Sequence, residues 1–160
     1  MNGIIRILLL IIGLSLFVTS CIDSTNQNFI SYINYGEEGM IPGQEYIFDK
    51  LDSTFIKENN SSLSVFLTIR YNDETNIQNL PLKIEWPDDS DSIHDKEFII
   101  PLFNKNDEME GKGNYGIFEN NYFLFNVIKP DDTFFISVST TEKNTSGILA
   151  LGILLAKDLR

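Results

Sequence analysis

Cysteine, tryptophan, histidine and positive charge are all scarce in this sequence. With Cys21 as the single cysteine in 160 residues, a disulfide framework is excluded. The lone histidine, His94, has no serine partner in pattern, and no G-x-S-x-G nucleophile elbow occurs anywhere in the chain. Basic residues number 12 against 23 acidic ones, a formal net charge of −11. That balance argues against nucleic acid as a partner and against adhesion to anionic lipid through a basic surface. No apolar run reaches the roughly 20 residues that span a bilayer as a helix. Helical periodicity over ten or more residues, internal repeats and low-complexity tracts are also missing.

What is present begins at the first residues. Arg6 lies in a short polar opening, Ile7 to Val18 form an apolar run, and Thr19 and Ser20 precede Cys21. This is the three-part layout of an exported protein's signal peptide. The stretch "LFVTSC" also fits a lipobox, in which an aliphatic and two small residues precede a cysteine whose thiolate takes a diacylglyceryl group before cleavage. Ordinary cleavage leaving one free cysteine is the competing reading. Residues 1–20 are therefore expected to be a removed lipoprotein signal, and 21–28 a lipidated cysteine with a polar tether. Acylation at Cys21 would hold the protein to the membrane, each buried methylene contributing about 0.8 kcal/mol. The mature part keeps 11 basic and 23 acidic residues, so lipid rather than charge must supply the attachment.

From residue 29 to 160 the pattern is that of strands. "LSVFLTIRY" places Leu63, Val65, Leu67, Ile69 and Tyr71 on one face, and "LPLKIEW" does the same with Leu80, Leu82, Ile84 and Trp86. Pro81 marks an edge or a strand start. "FIIPLF" (98–103), "YFLFNVI" (122–128) and "TFFISVST" (133–140) follow, with "FISYINY" and "EYIFDK" as earlier candidates. "ILALGILLA" (148–156) is apolar on both faces, as an interior strand would be. Clusters of Asn, Asp, Gly and Ser separate these runs. The expectation is an all-β fold: a single antiparallel β-sandwich, jelly-roll or immunoglobulin-like, of about seven to nine strands.

Two stretches invite chemistry. "GKGNYGIF" puts glycines at 111, 113 and 116 in the dinucleotide-binding pattern G-x-G-x-x-G. That fingerprint needs a buried strand before it and a helix after it. "NKNDEME" and "IFENNYFLF" supply neither, so the glycines are expected to serve a turn or bulge. "DDSDSIHD", Asp88 to Asp95, offers oxygens for calcium, but His94 occupies the position where an EF-hand loop counted from Asp89 requires glycine. A solvated hairpin loop is the expectation. No catalytic, metal-binding or cofactor-binding residue is therefore assigned, and the protein is expected not to be an enzyme.

A lipobox, then "SVFLTIRYNDETNIQNLPLKIEWPDDS", "IHDKEFIIPL", "GKGNYGIFEN" and a terminal "GILALGILLAKD" together resemble the gliding motility lipoprotein GldH family of the Bacteroidota. Met109 stands where that family commonly has tryptophan. The resemblance implies an outer-membrane lipoprotein that acts with other envelope or gliding lipoproteins and supports gliding and type IX secretion complexes. It supplies no catalytic residues. In that phylum an acidic pair after the lipidated cysteine directs surface display; here only Asp23 follows, which favours the periplasmic face. Short D-[ST] motifs are O-glycosylated there, making Ser24, Ser53 and Ser92 candidate sites. The alternative function, from another class, is a surface carbohydrate-binding or glycan-processing lipoprotein presenting an aromatic such as Trp86. The alternation with Ile84 instead places Trp86 in the core.

Overall fold

The computed structural model describes residues 28–36, 38–49, 51, 55, 62–87, 92–128 and 133–157. Cys21, Ser24 and Ser53 lie outside them. Nine strands are formed among the described residues: β1 (Phe29–Asn34), β2 (Tyr46–Phe48), β3 (Ser62–Asn72), β4 (Asn79–Pro87), β5 (Ile93–Pro101), β6 (Lys112–Asn114), β7 (Ile117–Ile128), β8 (Ile136–Ser139) and β9 (Ile148–Lys157). They form two antiparallel sheets, ordered β1-β9-β3-β7-β6 and β2-β8-β4-β5.

The order has a simple origin. Strands β1 to β4 run out, β5, β7, β8 and β9 run back, and they pair in mirror sequence: β1 with β9, β2 with β8, β3 with β7, β4 with β5. Wrapping this long ribbon on itself adds the β3–β9 and β4–β8 contacts and separates the two sheets. The result is a jelly roll, with β6 as an extra strand at one edge. Of the two sandwich types open to the sequence, this topology selects the first.

Period-two alternation fills the space between the sheets. Leu63, Val65, Leu67, Ile69 and Tyr71 of β3 are fully buried and face Leu80, Leu82 and Ile84 of β4, with Ile136 and Val138 of β8 beside them. Each fully buried aliphatic side chain stabilises the fold by about 1.5–3 kcal/mol. On β9, Leu151, Ile153 and Leu155 point inward, and a bulge opposite Arg70 and Tyr71 brings Ile148 to the same side. Flanked by β1 and β3, this strand is interior, as its unbroken apolar run indicates. Trp86 packs against the core, its ring stacked on Phe125 at 4.0 Å.

Several boundaries differ from the sequence pattern. Strand β5 begins at Ile93 rather than Phe98, because the polar "IHDKE" pairs fully with β4 from Pro87↔Ile93 onward. Strand β7 begins at Ile117, five residues before the apolar run, and β8 is shorter than its alternation. Pro81 sits inside β4, opposite Ile99. It is tolerated because β8 pairs with β4 only from Lys83 to Glu85, so a missing N–H at residue 81 interrupts no ladder there. The Pro81 carbonyl accepts instead from the Thr140 hydroxyl at 2.6 Å.

Candidate docking face

Of the two stretches that invited chemistry, the glycine-rich one is a hairpin. "GKGNYGIF" is the β6–β7 hairpin, with Asn114 paired to Ile117 across a two-residue turn. Tyr115 and Gly116 both have positive φ, 54° and 76°, as a type I′ turn requires. Gly113 meets a different demand: an added Cβ would lie 2.5 Å from the Ile117 carbonyl oxygen and 2.8 Å from the Phe118 ring. Two glycines of the pattern thus serve one hairpin for different reasons, and no helix follows them.

The acidic stretch runs from the end of β4 into β5 in the sequence. Asp88 to Asp91 lie outside the described residues, while Ser92 is exposed at the foot of β5 and His94 stacks on Trp86 at 5.7 Å. Among the described residues no group of three His, Cys, Asp or Glu side chains is close enough to hold a metal ion. Hydroxyls of Tyr71 and Tyr122 are engaged by backbone: Tyr71 donates to the carbonyls of Leu102 and Glu110, Tyr122 to that of Pro101. They fasten the segment after β5 across one end of the sandwich. Compared with known proteins, the chain matches no family model and no curated sequence.

The outer face of the four-stranded sheet has the properties of a docking surface. Alternation sends Pro81, Lys83 and Glu85 of β4 outward beside Ile99, Glu97 and Asp95 of β5, each directly opposite its partner. Glu85 opposite Asp95 would repel. The Lys83 ammonium bridges them, 2.6 Å from Glu85 Oε1 and 3.4 Å from Asp95 Oδ2. Those two carboxylates, Glu85 first, raise the pKa of Lys83. Three carboxylates surround this one cation, so the face is acidic.

Into that acidic field the sheet exposes aliphatic surface. Ile47, Ile93 and Ile99 are 52%, 61% and 71% exposed. A pocket of about 210 Å³ opens beside Ile99, between Pro81, Lys83, Glu97, Ser139 and Thr140. It exists because β8 stops at Ser139 and the chain turns away, leaving the first half of β4 uncovered on that side. The outward Lys83 and Glu85 were legible in "LKIEW". Ile99 lies in the apolar run "FIIPLF", but Asp95 and Glu97 are not legible as neighbours of Lys83 and Glu85, since nothing in "IHDKE" has the hydrophobic signature of a strand.

Proposed function

We propose that the protein is a lipid-anchored, non-catalytic envelope lipoprotein that supports the assembly or stability of outer-membrane complexes tied to gliding motility and type IX secretion. Acyl chains on Cys21 hold it in the outer membrane, on the periplasmic side, and its partners are other envelope lipoproteins. "LFVTSC" with a single cysteine supports the anchor, and the ordered family-like segments support the role. The observation that carries the docking part is the outer face of β4 and β5, where exposed isoleucines stand among Glu85, Asp95 and Glu97. Such a face fits a partner surface that is basic and studded with apolar side chains.

Fractionation tests the anchor: Cys21→Ala should move the protein from the membrane to the soluble fraction, and continued membrane binding would refute it. Crosslinking in cells from photoreactive residues at positions 97 and 99 tests the docking role. Capture of gliding or secretion lipoproteins is the expected result; capture of none, with the protein correctly localised, would refute it. Protease applied to intact cells should leave the protein uncut, whereas shaving would place it on the cell surface.

A further inference from the structure

The opposite outer face, on the five-stranded sheet, has a different character. Ile30 pairs with Leu154, Leu154 with Phe66, and Phe66 with Phe123, so four apolar side chains form one row across four strands. Three strand spacings make that row about 14 Å long. None of the four belongs to the core, and Ile30 and Phe123 are 40% and 55% exposed. Phe66 and Phe123 meet edge to face at 5.6 Å. Polar pairs border the row, Ser64 with Asn126 on one side and Thr68 with Asn121 on the other.

Charge on this face departs from that of the molecule. Against a net −11 for the chain, among the described residues its strands carry Arg70 and, by its pairing with Glu119, Lys112, opposed by the carboxylate of Glu119. That carboxylate is covered: Glu119 Oε2 accepts from Arg70 Nη2 at 2.6 Å, Arg70 Nε at 3.1 Å and the Tyr32 hydroxyl at 3.1 Å. The opposite face holds three carboxylates around Lys83. An anionic headgroup layer would therefore repel the four-stranded side and tolerate the five-stranded one.

The row is small for a protein interface, which buries about 800 Å² on each partner. A surface already held in place needs much less. Cys21 is eight residues before Phe29, the first residue of β1, so the domain can stand no more than about 28 Å from the lipid. Ile30, at the start of that strand, begins the row.

We propose that the outer face of the five-stranded sheet lies on the bilayer surface that holds the acyl chains of Cys21, with Ile30, Phe66, Phe123 and Leu154 entering the headgroup layer. The acidic face of the four-stranded sheet is thereby turned away from the membrane and toward partners. This orientation rests on the lipid-anchored reading of Cys21.

The test uses the full acylated protein reconstituted in vesicles of phosphatidylethanolamine and phosphatidylglycerol, with and without brominated acyl chains. Phe123→Trp and Ile99→Trp place reporters on the two exposed faces over a common Trp86 background. Because an interfacial contact lies about 5–10 Å into the headgroup boundary, the residue 123 reporter should shift to the blue and lose about half its emission to brominated lipid. The residue 99 reporter should do neither. Equal quenching at both positions, or none at 123 while the protein floats with the vesicles, overturns the orientation and leaves the anchor standing. Failure to float overturns the anchor, and the orientation with it. A blue shift at 123 that appears in detergent and grows with protein concentration would assign the face to a second copy of the chain, also overturning the proposal.

Discussion

Tyr115 is fully exposed and sits at φ 54°, a conformation that costs a bulky side chain and suits Asn or Gly. Its ring repays none of that cost through burial. Tyr115→Asn should therefore stabilise the fold by about 0.5–1 kcal/mol, raising the melting temperature by a few degrees; an unchanged or lower midpoint in a thermal scan would refute the strain argument. Buried hydroxyls give a second pair of expectations. Tyr71 donates to the carbonyls of Leu102 and Glu110, so Tyr71→Phe should cost about 1–3 kcal/mol in urea denaturation. The hydroxyl of Tyr35 is buried with no hydrogen-bond partner among the described residues. Tyr35→Phe should consequently leave stability unchanged or raise it by about 1 kcal/mol. If the two substitutions cost the same, the hydrogen-bond assignment fails.

Among the elements, β9 shows how a strand interior can require an absent side chain. Gly152 lies opposite Tyr32, where an added Cβ would stand 2.7 Å from the tyrosine ring. That ring in turn supports the Arg70 guanidinium at 4.9 Å and donates to Glu119. Gly152→Val should displace Tyr32, disturb the cluster and cost about 1–3 kcal/mol. A stability equal to wild type would show that the ring yields freely. Sequence alone disclosed the strands whose inner faces are buried along their length, β3, β4 and β9, because hydrophobic alternation or continuity reports burial directly. It was silent on the first half of β5, whose residues His94 to Glu97 are all exposed on an edge strand. Those charges resist edge-to-edge pairing, so the features that hid the strand from a pattern search also serve it. The candidate docking face depends on that hidden strand, which is why half of its residues could not be read in advance. Trp86 illustrates the opposite case: its phase with Ile84 foretold an inward side chain, and its ring stacks on Phe125.

At the scale of the whole molecule, mirror pairing distributes buried and half-buried tyrosines over the ends and flanks of the sandwich, and they titrate with one sign. Burial is the leading cause of the raised pKa at Tyr32, Tyr35, Tyr71 and Tyr122. Neighbouring groups add to it: Glu119 for Tyr32, Tyr46 for Tyr35, Tyr122 for Tyr71. In the unfolded chain each phenol ionises near pH 10, whereas in the fold it keeps its proton to higher pH. The unfolded state therefore loses protons first, and alkali favours unfolding. Stability from these groups is complete below about pH 10 and declines above it as the unfolded phenols ionise. The urea midpoint should hold steady between about pH 8 and 9 and fall progressively toward pH 11. Tyr71→Phe removes one contributor, so its midpoint, lower at neutral pH, should fall less steeply over the alkaline range. A variant curve parallel to wild type from about pH 9 to 11 would show that Tyr71 is not held neutral by its burial.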